Sequence, residues 1–185
     1  MTGRRVGLLR GINVGRAKRI AMADLRALLV GLGYGDVRTL LNSGNVVFTV
    51  ARKHAGDDAA RIERAIAERL GVTTRVTILR AREIAEAIRE NPLETVADDS
   101  SRLLFLALRD ATALARLKPL LKDRWEPEAL ALGKRVAYLW CAHGINDSRL
   151  WTAANRLVGD AGTARNLTTM TKLLALVDEG DGSED

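Results

Sequence analysis

The stretch from Arg10 to Ile20, RGINVGRAKRI, packs four cations, an asparagine and two glycines into eleven residues and contains no carboxylate. That composition suits an anion. Glycines free backbone N–H groups to converge, and guanidinium groups supply donors in a fixed fork. Gly11 and Gly15 would let the chain turn sharply, leaving Arg10, Asn13 and Arg16 to face whatever the turn encloses. Lys18 and Arg19 add charge. The spacing is neither Gly-x-x-x-x-Gly-Lys-Ser/Thr nor Gly-x-Gly-x-x-Gly, so neither of the two common phosphate-binding loops is present. A competing reading has Arg10 and Asn13 bonded to nearby carbonyls, which would tie the loop down and bind nothing.

A second donor-rich stretch, TARNLTTMTK, spans residues 163–172. Thr163, Arg165, Asn166, Thr169 and Lys172 supply its donors, and Asn166 or Thr168 can cap the helix that follows. A third, Asn42-Ser43-Gly44-Asn45, reads as a hairpin turn, where positive φ angles suit Gly and Asn; Ser43 and Asn45 join the candidate set. Together these stretches predict a basic pocket between the two halves of the chain that takes an anionic or phosphate-bearing small molecule. Two other readings compete with it: nucleic-acid binding through a basic face, and a structural or protein-interaction role in which these residues lock the halves together. The sequence names no reaction. No carboxylate pair is spaced for acid–base work, and Cys141, His143 and Asp147 lack the spacing of a nucleophile with its base. His54 stands in a loop-like segment. Two histidines and one cysteine give no paired metal-ligand spacing, and no cofactor is expected.

The chain behind these residues has 185 residues, a net charge of +6 and a pI near 10.0. Its mean hydropathy is −0.05 and 47% of its residues are hydrophobic, which places it among ordinary globular proteins. A single cysteine, no export signal and no apolar run long enough to span a bilayer predict a cytoplasmic protein with no membrane partner. The last eight residues, DEGDGSED, carry Asp178, Glu179, Asp181, Glu184 and Asp185; they predict a disordered acidic tail on a more strongly basic body.

Periodicity supplies the elements that position the candidates. RRVGLLR predicts a strand and MADLRALLVGLG a helix closed by Gly33. VRTLL and NVVFTV flank the NSG turn as a hairpin. DDAARIERAIAERLG predicts a helix, TRVTIL a strand, and AREIAEAIREN a helix stopped by Pro92. The order β-α-β-β-α-β, plus one helix, then recurs. SRLLFLAL is a strand, ATALARLKPLL a helix interrupted by Pro119, and EALALG with KRVAYLWCA a hairpin around Gly133-Lys134. DSRLWTAANRLVG follows as a helix capped by Asp147 or Ser148, GTARN as an extended piece, and LTTMTKLLALV as the last helix. The fold expected is α+β, built of two tandem ferredoxin-like subdomains related by a pseudo-repeat: residues 1–91 and 102–177, joined by a linker at 92–101 and followed by the tail at 178–185. Trp125, Trp140 and Trp151 all fall in the second half and are expected in its core.

The blocks LLRGINVG, MADLRALLVGLGYGDVRTLLNSGNVVF and TARNLTTMTKL resemble the bacterial family catalogued as domain of unknown function sixteen ninety-seven. The resemblance implies tandem ferredoxin-like repeats. It marks Arg10, Gly11, Asn13, Gly15, Ser43, Gly44, Asn45, Thr163, Arg165, Asn166, Thr169 and Lys172 as motif positions. The chain departs from that pattern at Arg16, where glycine is usual, and at Leu167, where an aromatic is usual. The family carries no established activity to transfer.

Overall fold

A computed structural model describes residues 3–51 and 56–179; His54 and residues 180–185 of the tail lie outside them. The described residues form a mixed α+β protein with two four-stranded antiparallel sheets and six α-helices. In chain order these are β1 (Gly3–Leu9), α1 (Met22–Gly31), β2 (Gly35–Leu40), β3 (Asn45–Val50), α2 (Asp58–Leu70), β4 (Val76–Arg80) and α3 (Ala81–Arg89). The second series is β5 (Leu103–Leu108), α4 (Ala111–Ala115), β6 (Ala129–Leu132), β7 (Val136–Trp140), α5 (Arg149–Val158), β8 (Gly162–Asn166) and α6 (Leu167–Asp178). Strand order is β2-β3-β1-β4 in one sheet and β6-β7-β5-β8 in the other.

Local chemistry accounts for most element ends. The Asp57 carboxylate accepts from the amides of Ala59 and Ala60 to start α2, and Gly71 ends it in the left-handed conformation at φ 67°. Ser148 starts α5 by accepting from Trp151 N at 2.8 Å. Asp110 starts α4 in the same way, through Ala113 N. Pro119, which has no N–H to donate, falls in a separate 3₁₀ turn, Lys118–Lys122, and α4 stops at Ala115.

The chain forms two compact units. One comprises the residues up to Ala81 together with the chain from Leu173, the other Arg82–Lys172. In the first unit, one face of the sheet presents Leu9, Val46, Phe48, Val50 and Val76 to Leu25 and Leu29 of α1 and to Ile62 and Ile66 of α2. Strand alternation puts Val6 and Leu8 on the other face, also buried, with Arg4 beside them; Arg4 donates to Val177 O near the end of α6. A buried polar tie sits at the start of α2. Asp58 is paired with Arg5, and Tyr34 donates to its other oxygen at 2.8 Å. Burial, reinforced by Asp58, pushes the Tyr34 hydroxyl up to about 12.

In the second unit Leu104, Leu106, Leu108 and Leu139 pack with Ala113 of α4 and with Leu150, Ala154 and Val158 of α5. Trp140 is buried, while Trp125 and Trp151 are half-buried against this cluster. On the opposite face the rings of Phe105 and Tyr138 meet edge-on at 5.1 Å, and Tyr138 donates to Ala87 O in α3 at 2.9 Å. Arg135 pairs with Glu83 of the same helix at 2.9 Å. Helix α3 therefore follows β4 in the chain but makes its contacts in the second unit. The repeat of elements and the packing of the chain divide it at different residues. Residues 92–101 hold neither helix nor strand, yet Leu93 is buried and its carbonyl accepts from Val96 and Ala97.

Candidate functional site

The first unit gathers its unusual backbone at one end of β1. Arg10 N donates to Arg75 O at 2.9 Å, and Thr74 Oγ1 donates to Arg10 O at 2.8 Å, so the strand's exit is pinned to the residues before β4. Gly11 and Gly15 then take φ of 62° and 64°, the left-handed turns that their lack of a Cβ permits. Asn13, at φ 55°, holds the loop together. Its Nδ2 donates to Ile20 O at 2.8 Å and to Asn42 O at 2.7 Å, and its Oδ1 accepts from Ile20 N at 2.9 Å. Both donors of the side chain therefore go to backbone carbonyls. Asn13 acts as a clamp across the loop and onto the β2–β3 turn.

The turn is built just as firmly. Asn45, fully buried, donates to Leu40 O at 2.8 Å and to Ser43 Oγ at 2.9 Å. Gly44 sits at φ 81°, and a Cβ there would lie 2.7 Å from Ile12 Cδ1 and 2.8 Å from Leu9 Cβ. Only glycine fits both the angle and the space. The other positive φ of the turn falls on Leu41, at 58°, and neither Asn42 nor Asn45 shares it. The asparagines instead serve as a wall of the pocket and as a backbone tie.

Between loop and turn lies an open pocket of about 370 Å³ lined by Asn13, Arg19, Ile20, Ala21 and Asn42. Ala21 is the cap position of α1, whose first turn has no side-chain cap and carries the exposed Asp24. Arg16, Lys18 and Arg19 are exposed, and no ion pair is formed by any of them among the described residues. Arg19 and Asn42, both lining residues, stand outside the set carried by the motif pattern. Arg19 was visible as one more cation in the loop. Asn42 lines the pocket beside Asn13, which bonds its carbonyl from 29 residues away, and no local pattern reports that.

The other donor-rich stretch lies in the second unit and is put to different use. Arg165 sits on β8 opposite Phe105 and is buried; its Nη1 donates to Thr163 Oγ1 at 3.0 Å and to Ala164 O at 2.7 Å. Burial alone pushes its guanidinium down to about 10. Asn166 caps α6 by accepting from Thr169 N at 2.9 Å, and its Nδ2 donates to Ser101 O at 3.4 Å. Thr168 Oγ1 and Ser100 Oγ share a hydrogen bond at 2.8 Å. Thr163 is buried, Thr169 half-buried, and Lys172 exposed.

Cys141 is fully buried and His143 exposed. Burial pushes the Cys141 thiol up, against the thiolate that nucleophilic chemistry requires. Among the described residues no group of three His, Cys, Asp or Glu side chains could hold a metal ion, and no helix is long and apolar enough to cross a membrane. At the start of the acidic C-terminal run, Asp178 is the last residue of α6, and Glu179 lies 3.7 Å from Arg38.

A family model described as "Protein of unknown function (DUF1697)" matches residues 2–138. That span covers the loop, the turn and the pocket, and it ends before Thr163–Lys172. No curated protein matches the chain. Among solved structures, the conserved bacterial protein SP0830 from Streptococcus pneumoniae is similar over 96% of this chain and 99% of its own, with a TM-score of 0.68 at 23% identity. At that identity the likeness concerns the fold.

Proposed function

We propose that this chain, which belongs to the DUF1697 family, binds a small anionic, phosphate-bearing molecule in the pocket between its Arg10–Ile20 loop and its β2–β3 turn. The observation that carries the reading is the lining itself: Arg19 and the two asparagines Asn13 and Asn42 stand around an open volume of about 370 Å³, with Arg16 and Lys18 on the same loop. Most of the first unit's motif residues serve this pocket indirectly. Gly11, Asn13, Gly15, Gly44 and Asn45 set the shape of two loops, and the exposed cations supply the charge. Asp24 subtracts from that field. A pocket that draws its affinity from one arginine and the surrounding charge binds a phosphate modestly and in a salt-dependent way. We also read each series β-α-β-β-α-β as a ferredoxin-like subdomain; its support is that both sheets share one strand order, with every pair antiparallel.

The test is a calorimetric titration of the whole chain with inorganic phosphate and pyrophosphate at low and moderate salt. Binding is expected to weaken by about tenfold or more in Arg19→Ala, a loss of roughly 1.4 kcal/mol, and to be unchanged in Arg149→Ala on α5. Phosphate binding indifferent to Arg19→Ala would sink the proposal. An oligonucleotide that binds with steep salt dependence and no need of Arg19 would point instead to a basic-face interaction with nucleic acid.

A further inference from the structure

We infer that the molecule held by this pocket is a phosphate ester with an apolar organic group, not a bare inorganic anion. The inference rests on the anion-binding reading above and adds to it the apolar half of the ligand. Two side chains carry it. Val14 is 73% exposed, the highest value among the large exposed hydrophobics, and Leu41 is 49% exposed. Each stands next in sequence to an asparagine that lines the pocket, Val14 after Asn13 and Leu41 before Asn42. The hydrogen bond from Asn13 Nδ2 to Asn42 O, 2.7 Å long, fastens the two segments together.

Single exposed apolar residues need no explanation. Here two of them are next in sequence to the two asparagines of one polar pocket, and one is held there at a cost. Leu41 adopts φ 58°, a conformation that sets its Cβ against its own carbonyl and that leucine takes up rarely. Glycine would relieve this, as Gly44 does three residues later at φ 81°. Leu41 is half out in solvent, so core packing does not compensate for the strain. What the strained residue provides is an exposed aliphatic surface one residue from Asn42, which lines the pocket. A ligand that sets its phosphate at Arg19 and its apolar ester group against Val14 and Leu41 would use both.

The experiment compares inorganic phosphate with phenyl phosphate and hexyl phosphate by calorimetry, in the parent chain, Val14→Ser, Leu41→Gly and Arg19→Ala. The parent is expected to bind at least one ester about tenfold more tightly than inorganic phosphate, the gain from burying a few methylene equivalents. Val14→Ser and Leu41→Gly should each cut that preference and leave inorganic phosphate binding as it was, whereas Arg19→Ala should weaken all three probes. Leu41→Gly relieves strain and is expected to melt no lower than the parent, so its loss of preference could not be ascribed to misfolding. A tighter phenyl ester marks an aromatic group and a tighter hexyl ester an aliphatic one. Equal affinity for ester and inorganic phosphate would overturn this inference alone, as would a preference that survives both Val14→Ser and Leu41→Gly. Absence of binding by all three probes would overturn the anion-binding reading and this inference with it. A change in the sedimentation of the ligand-free chain on Leu41→Gly would assign the two side chains to self-association and overturn the inference likewise.

Discussion

The loop after β1 and the stretch from Gly162 to Lys172 share Arg, Asn, Lys and Gly and contain no acids, and the structure uses them in opposite ways. In the second segment the candidate donors other than the exposed Lys172 are drawn into the fold. Arg165 is buried against its own strand and Asn166 closes a helix end on Ser101. In the first, one asparagine turns inward and spends both donors on carbonyls, and the result is a shaped loop on which Arg16, Lys18 and Arg19 stay exposed. Donor-rich composition is thus no measure of binding capacity. What separates the two is where the backbone runs. A strand register buries every second side chain, whereas a loop held by its own side chain leaves the others free to face solvent.

The sharpest way to break this contrast is to remove the clamp. Asn13→Ala deletes three hydrogen bonds and places a Cβ-bearing residue without a compensating amide at φ 55°; the expected loss is about 3 kcal/mol, seen as a lower denaturation midpoint with unchanged slope. Asn13→Gly should recover about 1 kcal/mol of this, because glycine accepts the angle but not the bonds. If both variants were as stable as the parent, Asn13 would not be a clamp, and its two donors would be better explained as ligand contacts.

Removing Asn166 has a smaller expected effect. As a helix cap it contributes about 1 kcal/mol, and Asn166→Ser, which keeps a cap oxygen, should return most of what Asn166→Ala loses. Equilibrium unfolding of the three proteins measures this. A serine variant no better than alanine would mean that the bond to Ser101 O matters more than the cap.

These two residues also show how far the sequence was legible. Caps and breakers act locally, so Asp57, Ser148, Pro119 and Gly71 mark element ends from their immediate neighbours, and β3 spans the six residues that its NVVFTV pattern marks. The candidate site was legible only in part. Gly11 and Gly15 take the turn their type suggests, but the second strained position of the hairpin turn belongs to a leucine, which no turn preference selects. GTARN lacks the alternation that would reveal a buried face, so Arg165 reads as a donor awaiting a ligand when it is a side chain packed into a sheet. Asn42 and Arg19 line one pocket, beside a bond from Asn13 to Asn42 that spans 29 residues of the chain. Contacts of that kind follow from the fold, and local residue preferences carry no trace of them.

The smallest expected effect is a difference between two alkaline titrations, one for each unit. Burial holds Tyr34 in the first unit and Tyr138 in the second up to about 12, against an ordinary value of 10.0. Between about pH 10 and 12 the unfolded chain therefore gives up tyrosine protons that the folded chain keeps, so this contribution to stability falls as pH rises. Arg165, brought down to about 10 from 12.5 by burial, has the reverse sign: the folded chain loses that proton while the unfolded chain still holds it, and stability rises across the same window. The second unit contains both groups and the first only a tyrosine. All three tryptophans belong to the second unit, so their fluorescence reports that unit alone, while far-ultraviolet circular dichroism reports both. On raising the pH above 10, ellipticity should begin to fall before the tryptophan emission shifts, and Tyr34→Phe should move the ellipticity change upward toward the fluorescence change. Coincident curves in the parent would mean that Arg165 is not desolvated enough to offset Tyr138, and the contrast between an inward-turned and an outward-turned set of donors would then rest on geometry alone.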